Sequence, residues 1–339
     1  MSKNISLLSI ILVFQLGLTW FFQNKPSQTA VYQKTATLVD VNFDNINKIN
    51  VTDNENKEII LYKDKGTWKL PDSDNFPVSQ EKIDGLIKKI AGFKRPRPVG
   101  TSEIAAKQFS VSDDKFERKI DLFENDKKIT TIFLGTSPGF RKVHLRLASE
   151  ELTYSVEFNT YDVPTKDQDW FEKDLLVFDK KDIESVKFEK FNVLNQDGNY
   201  ILEGLKQNEE TKTETLSNLI SSISNLSFSD VAGIKLKSNY KSLMTFSVSK
   251  KDKNKISYEI YADDNKKETK GTVNKDNEEN EKQKSYVLKS SEYPYFFQVS
   301  TYTIEKILNA KLQNYTKQKA DNSNENISSS PLKPEVSGN

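Results

Sequence analysis

The sequence predicts an α+β fold: two tandem repeated units, each a mostly antiparallel sheet with a packed helix, after one N-terminal transmembrane helix. Three observations lead to this prediction. Residues 5–22 contain no charged side chain. Two amphipathic helical patterns occur 133 positions apart, around Leu86 and Leu219. The strand and turn patterns around both helices are alike, and a sheet with a separate covering helix is typical of α+β proteins.

The composition excludes several classes of function. The chain has 339 residues, with 50 Lys and Arg against 49 Asp and Glu, one His and no Cys. Without Cys there is no disulfide framework, thiolate nucleophile or thiolate metal site, and a single His cannot form a multi-histidine metal site. A net charge of +1 supplies no basic field for nucleic acid. We therefore expect no cofactor, no metal and no nucleic-acid partner.

Residues 5–22 read ISLLSIILVFQLGLTWFF and have the length of a membrane span. As a helix they would extend about 27 Å, close to the thickness of a hydrocarbon core. The alternative is a cleaved signal peptide, which has a shorter apolar region and small residues at the cleavage site. Here Ala30 is preceded two positions earlier by Gln28, which is not small. We predict an uncleaved signal anchor and linker over residues 1–30, with the lipid bilayer as partner of residues 5–22.

The orientation of this span follows from weaker signals. Lys3 on one side and Lys25 on the other nearly balance the count of flanking positive charges. A very short N-terminal tail usually stays cytoplasmic, which places the body outside. The predicted location is therefore the inner (cytoplasmic) membrane, single-pass, with the body extracytoplasmic in the cell envelope or periplasm.

Each half of the body contains one helix with a regular apolar stripe. The first begins near Ser79 and ends at Gly92, and the second is preceded by Thr213. The spacing i, i+3, i+4, i+7 places four apolar side chains on one face of each helix. These are Ile83, Leu86, Ile87 and Ile90 in the first helix and Leu216, Leu219, Ile220 and Ile223 in the second.

Strand patterns flank both helices in the same order. Before each helix come two apolar runs, a turn ending in Gly and a third short strand; after it come two alternating strands joined by a polar turn, then two more strands. The turns that end in Gly66 and Gly198 occupy equivalent places in the two halves. The sequence therefore predicts an internal repeat, with 37–161 as first unit, 162–177 as connector and 178–315 as second unit.

The remaining segments join or extend these units. The connector contains the pair Trp170-Phe171, which we interpret as a packed hinge between the units. Residues 263–284 are dense in Lys, Asn and Glu, and residues 316–339 form a tail of Ser, Asn and Pro. Both compositions are typical of disorder, because they bury too little apolar surface.

Four segments carry a resemblance to a known family: Gly66 to Leu70, Ile83 to Ile90, Phe93 to Val99, and Leu134 through Arg146. Over roughly residues 37–310 the chain resembles an uncharacterised bacterial domain-of-unknown-function family often encoded beside gliding-motility-type ABC transporter genes. The second unit departs from the pattern, because it lacks the Gly135/Gly139 turn. The resemblance implies a membrane-anchored envelope protein and supplies no catalytic residues.

No residue pattern predicts a catalytic site. Alternation along residues 142–147 places His144 on the polar face of a strand, so we expect it at the surface, and no nucleophile motif accompanies it. Adjacent carboxylates such as Asp113-Asp114 and Glu150-Glu151 fall in polar loops, where solvated charge is the expected state. The Gly135 to Gly139 segment lacks the lysine of a phosphate loop and is interpreted as a hairpin loop.

Three residues are candidates for partner contact: Arg95 and Arg97 in a proline-rich extended segment, and Phe296 in the densest aromatic run. The predicted function is a membrane-anchored extracytoplasmic, non-catalytic accessory protein, not an enzyme, that contacts an ABC-transporter-type or other envelope complex. Two alternatives stay open: an extracytoplasmic glycan- or peptide-binding module, and a hydrolase with an unrecognised site.

Overall fold

The computed structural model describes residues 36–236, 239–263 and 286–319, together with residues 12, 14 and 15. The chain divides into two compact units, with the boundary between Glu172 and Lys173. Each unit contains a mostly antiparallel sheet and few helices, which confirms the predicted mixture of helices and antiparallel strands.

The first unit is built on one eight-stranded sheet. Its strands are β1 (Lys48–Asp53), β2 (Glu58–Asp64), β3 (Thr67–Leu70), β4 (Phe76–Pro77), β5 (Arg118–Glu124), β6 (Lys127–Leu134), β7 (Lys142–Leu147) and β8 (Thr153–Glu157). The order is β4-β3-β2-β1-β5-β6-β7-β8, and every neighbouring pair is antiparallel. Most connections are tight hairpins, so the sheet forms largely from local pairing.

Helix α1 (Gln80–Ala91) supplies the apolar stripe that the sequence predicts. Ile83, Leu86 and Ile90 are buried, whereas Ile87 is only half-buried. The helix begins after Ser79 and ends at Gly92, whose N–H bonds the carbonyl of Lys88 at 3.0 Å. Because α1 contacts β3, its stripe helps to enclose the core of the first unit.

A second, shorter helix covers the other face of this sheet. Helix α2 (Glu103–Gln108) and the chain after it pack Ala106 and Val111 against Phe133 of β6, with Phe109 and Phe116 around them. Both faces of the β6–β7 part of the sheet are therefore buried, and every residue of β7 after Lys142 is buried. The alternation of apolar and polar residues along the strands does not predict that α2 covers this second face of the sheet.

The predicted connector, residues 162–177, is largely part of the first unit. Trp170 and Phe171 are each 1 % exposed, and the Phe171 ring lies 4.5 Å from that of Phe76. The N–H of Ser79 donates to the carbonyl of Trp170 at 2.8 Å. The prediction that this pair is a hinge is therefore wrong, because both side chains are core residues of the first unit.

The second unit contains another eight-stranded sheet and a two-stranded one. The strands are β9 (Ile183–Phe188), β10 (Asn192–Gln196), β11 (Asn199–Leu202), β12 (Glu209–Thr211), β13 (Asp230–Val231), β14 (Tyr240–Lys250), β15 (Lys255–Asp263), β16 (Tyr286–Ser290), β17 (Phe296–Val299) and β18 (Thr316–Gln318). The large sheet has the order β11-β10-β9-β14-β15-β16-β17-β13, and its neighbouring pairs are antiparallel.

Two helices pack within the described part of the second unit. Helix α3 (Thr213–Ser224) buries Leu216, Leu219, Ile220 and Ile223, the complete predicted stripe, and contacts β11. Helix α4 (Thr301–Leu308) packs on α3 and buries Ile304 and Ile307. Its first turn is capped by the Ser300 hydroxyl, which accepts from the Thr303 N–H at 3.2 Å.

The end of the second unit lies beyond its predicted boundary. Residues 316–318, expected at the start of the disordered tail 316–339, form β18 and pair with β12. That part of the tail prediction is wrong, because main-chain pairing with Glu209–Thr211 orders a segment whose side chains are polar. The rest of the tail, from residue 320, and residues 264–285 lie outside the described residues.

The predicted membrane span, residues 5–22, also lies outside the described residues, apart from Leu12, Phe14 and Gln15, which are helical. Over the part of the chain that the structure describes, no helix is both long enough and apolar enough to cross a membrane.

Candidate functional site

Arg95 forms a compact polar cluster with Glu150 and Tyr154. Its Nη1 lies 2.9 Å from Glu150 Oε2 and 2.6 Å from the Tyr154 hydroxyl. The hydroxyl donates in turn to the same carboxylate oxygen at 3.1 Å. The guanidinium also lies over the Tyr154 ring, with Cζ 5.4 Å from its centroid. The Glu150 carboxylate therefore holds both the Arg95 guanidinium and the Tyr154 phenol in place.

Three separate elements bring this cluster together. Arg95 follows the end of α1, and its N–H donates to the carbonyl of Ala36 at 2.9 Å. Glu150 lies in the turn after β7, and Tyr154 lies on β8 with 1 % of its surface exposed. The prolines around Arg95 keep its segment extended, which lets it reach across to this turn.

The electrostatics of the cluster follow from its geometry. The hydrogen bond from Arg95 to Glu150 raises the pKa of the guanidinium, against the opposing effect of burial. Burial, together with the charge of Glu150, raises the pKa of Tyr154 to about 12. Arg95 therefore stays charged and the Tyr154 phenol stays neutral through the physiological range.

A groove of about 520 Å³ opens beside Arg95. Lys128 and Thr131 line it together with Arg95, and Lys128 Nζ lies 3.4 Å from Asp121 Oδ1. Both cations of the groove thus have carboxylate partners within the unit, so they offer little free positive charge for an anionic ligand. The groove presents mainly apolar and hydroxyl groups.

The other two predicted contact residues lie elsewhere. Arg97 is exposed and makes no ion pair or hydrogen bond with any residue that the structure describes. Phe296 belongs to β17 of the second unit and is half-buried, with its ring edge-on to Tyr261 at 6.0 Å. Lys289 Nζ lies 5.2 Å from the centroid of the Phe296 ring. The three residues therefore do not form one cluster.

Comparison with known proteins identifies the family. Residues 68–243, more than half of the chain, match the family described as Domain of unknown function (DUF4340). The chain is a member of the DUF4340 family. The match begins in β3 and ends in β14, and it confirms the predicted membership of an uncharacterised domain family. No curated protein and no solved structure matches the chain.

The single histidine of this DUF4340 protein is buried, so its predicted exposure is wrong. Only 7 % of His144 is exposed. The Phe109 ring stacks on the imidazole at 4.1 Å, because the chain after α2 covers this face of the sheet. The Thr136 hydroxyl lies 3.0 Å from Nδ1. Burial lowers the pKa of His144 below its ordinary value of 6.5.

The adjacent carboxylates, which we predict to be solvated, differ from one another in their surroundings. Asp113 forms an ion pair with Arg146, and Asp114 accepts a hydrogen bond from the Ser112 hydroxyl at 2.7 Å. Glu150 belongs to the Arg95 cluster, which sequence reasoning missed because its members are 55 and 59 positions apart. Among the described residues, no three His, Asp or Glu side chains are placed to hold a metal ion.

Exposed aromatic residues form a further set in this DUF4340 chain, and no local sequence pattern predicts their exposure. Phe140 is 87 % exposed at the end of the β6–β7 connection, with the Arg141 guanidinium 5.0 Å from its ring centroid. The Ser137 hydroxyl braces this turn, because its single proton can be donated to the carbonyl of Gly139 or of Lys142, both at 2.8 Å. Tyr161 and Tyr302 are 86 % and 92 % exposed.

Proposed function

We propose that this DUF4340 protein is a membrane-anchored, extracytoplasmic and non-catalytic accessory protein that contacts an ABC-transporter-type or other envelope complex. The observation that carries the proposal is the uncharged segment of residues 5–22, which precedes two compact units. An apolar stretch of this length is typical of a membrane span. The family match lies entirely in the body, between residues 68 and 243.

Exposed recognition groups on the body support the contact role. Phe140 and Arg141 project together from a braced turn, and Arg97 is exposed with no partner among the described residues. Aromatic side chains and arginine are the residues most enriched in the energetically dominant parts of protein interfaces. The arrangement favours binding by contact over chemistry on a bound substrate.

We also propose that the two units are tandem repeats of one fold. In the first sheet β1 lies between β2 and β5, and in the second sheet β9 lies between β10 and β14. Hence β3-β2-β1-β5-β6-β7-β8 parallels β11-β10-β9-β14-β15-β16-β17. This common order, with the 133-position offset of the α1 and α3 stripes, supports a duplication.

Membrane extraction and protease accessibility test the anchor. We expect the full chain to stay with membranes through alkaline carbonate and high salt, and a variant without residues 5–22 to be released. In spheroplasts, external protease should degrade the body. Release of the full chain, protection of the body, or a mature N-terminus near residue 31 would overturn the proposed topology.

Site-specific photo-crosslinking tests the contact role. A crosslinking amino acid at position 140 should give an adduct with a membrane protein in cells, and this adduct should be absent from the variant without residues 5–22. The matched position is Lys253, at an exposed turn of the second unit. Equal adducts at positions 140 and 253, or none at 140, would contradict contact through the Phe140 turn.

A further inference from the structure

A groove of about 570 Å³ lies in the second unit where β9 ends. The turn after β9, the middle of β14 and the chain after α4 form its walls. The large apolar side chains that line it are Phe188, Phe191, Leu243, Met244, Leu308 and Leu312. Two of them are substantially exposed to solvent, Leu243 at 47 % and Leu312 at 40 %.

The groove runs beside a strand edge that lacks a neighbour. Strand β14 pairs with β15 along nearly its whole length, but β9 pairs only with Phe246 to Lys250. The other edge of residues 241–245 therefore faces no strand among those the structure describes. Five residues of strand extend about 17 Å. This segment presents main-chain donors and acceptors next to apolar surface.

The charged residues at the groove are mainly basic. Lys190 and Lys311 line it, are exposed, and form no ion pair with a described residue. Glu189 is the one acidic residue among the described side chains that line the groove. Lys241, on the unpaired edge, is also exposed. The local field therefore favours an acidic ligand.

We propose that this groove binds an extended peptide segment of a partner protein, with alternating acidic and apolar residues, as an added strand on residues 241–245 of β14. A peptide added to a free sheet edge gains affinity from main-chain hydrogen bonds and specificity from alternate side chains. Here one face of the peptide would meet the apolar lining, and its acidic side chains would meet Lys190 and Lys311. This site specifies how the proposed contact role is carried out.

The irregularity in β14 is compatible with this use. The register between β14 and β15 shifts between Ser242 and Met244, so Leu243 occupies a bulge. Bulges re-aim side chains at sheet edges and beside functional sites. Phe188 and Phe191 stack at 4.6 Å and give the groove a firm apolar wall. An aliphatic side chain of the added peptide would pack against this wall.

Binding of a synthetic peptide tests the proposal. The probe is a fluorescein-labelled heptapeptide of alternating Glu and Leu, titrated by anisotropy with the full chain in nanodiscs. We expect saturable binding that weakens about tenfold or more in Lys190→Glu/Lys311→Glu, because both charges then repel the peptide. The matched variant Lys180→Glu/Lys181→Glu, at the opposite end of β9, should bind as the unaltered chain does.

Two further measurements separate strand addition from simple charge attraction. A heptapeptide methylated on alternate main-chain nitrogens should bind at least about tenfold more weakly, because it cannot form the ladder. Hydrogen exchange should slow at residues 241–245 when the unmodified peptide binds. Equal binding of both peptides, unchanged exchange there, or equal binding by the lysine-substituted chain with an unchanged unfolding midpoint would overturn the proposal.

Failure of this site is distinguishable from failure of the anchor. Peptide binding is measured without any requirement for membrane topology, so a chain released by carbonate could still bind the peptide. Conversely, absence of saturable peptide binding would overturn the strand-addition site and leave the anchoring result unchanged.

Discussion

Arg95 and Arg97 are separated by one proline and have opposite surroundings. Arg95 is held by Glu150 and Tyr154 inside the first unit, whereas Arg97 is exposed. The sequence predicts both arginines as contact residues, because both lie in the same extended segment. The structure separates them, since only Arg95 reaches the turn after β7.

Substitution of each arginine by alanine should show this difference. Arg95→Ala is expected to lower the free energy of unfolding by about 1–3 kcal/mol, because it removes a partner of the half-buried Glu150. Arg97→Ala should change it by less than about 0.5 kcal/mol. Urea unfolding of both variants gives the comparison. Equal losses would show that the Arg95 cluster contributes nothing specific to stability.

His144 makes stability depend on pH in a predictable direction. Burial lowers its pKa in the folded state, against a raising effect from the hydrogen bond of Thr136. The unfolded chain keeps a pKa of about 6.5 and so binds the proton more readily below that value. The stabilisation that comes from the neutral imidazole is complete above about pH 6.5 and is lost as pH falls through the folded-state pKa.

A comparison with His144→Gln checks this pH dependence. The unaltered chain should lose stability below about pH 6.5 more steeply than the variant does, as measured by urea midpoints between pH 7.5 and 5. As the chain contains one His, a single imidazole resonance reports the ionisation directly in NMR spectra. A midpoint of that resonance above 6.5, or parallel stability curves, would contradict the buried neutral state.

At the scale of elements, the two long helices share a pattern but differ in one position. Ile220 of α3 is fully buried, whereas Ile87 at the equivalent place in α1 is half-buried. Ile220→Ala should therefore cost about 2–5 kcal/mol of unfolding free energy. Ile87→Ala should cost about 1 kcal/mol, as is common for partly exposed sites. Thermal or urea unfolding tests this, and a larger loss at Ile87 would contradict the burial seen here.

The connection between β6 and β7 contains two glycines with different requirements. A Cβ at Gly135 would overlap the carbonyl oxygen of Phe109 and lie 2.5 Å from that of Ser110. A Cβ at Gly139 would meet no atom within 4 Å. The main chain of Phe109 and Ser110 therefore leaves no room for a side chain at Gly135. A hydrogen bond from the Thr136 N–H to the Phe109 carbonyl holds the two segments together.

Gly135→Ala should therefore destabilise the first unit by more than about 3 kcal/mol, through overpacking against the main chain. Gly139→Ala should change stability by no more than about 1 kcal/mol in either direction. Circular dichroism during urea unfolding would show both effects. A tolerated alanine at position 135 would mean that the segment after α2 moves away from the sheet easily.

At the scale of the whole molecule, the boundary of the first unit lies after Glu172 rather than at residue 161. A fragment of residues 36–172 should unfold cooperatively, with Trp68 and Trp170 buried in its core. A fragment of residues 36–161 lacks Trp170 and Phe171 and should lose at least about 3 kcal/mol. Intrinsic fluorescence and urea titration compare the two. Equal stability of the fragments would restore the interpretation of this pair as a hinge.

The features that depend on local periodicity and turns can be predicted from the sequence alone. The stripes of α1 and α3, the hairpins around Gly66 and Gly198 and the antiparallel mixture of strands and helices all follow from the spacing of apolar residues and from turn chemistry. Membership of an uncharacterised family can also be predicted from the sequence, because the family's motifs lie in these same elements. Interactions between residues that are close in the sequence are sufficient to specify such features.

The faces that are covered and the polar groups that meet depend instead on tertiary contacts. His144 is buried because Phe109, thirty-five positions earlier, stacks on it, and Arg95 is neutralised because the turn after β7 brings Glu150 to it. Residues 316–318 are ordered because β12 supplies main-chain partners for a polar segment. Among the described strands, none continues beside residues 241–245 of β14, because β9 ends at Phe188. Each outcome depends on contacts between distant parts of the chain, which no local pattern of residues encodes.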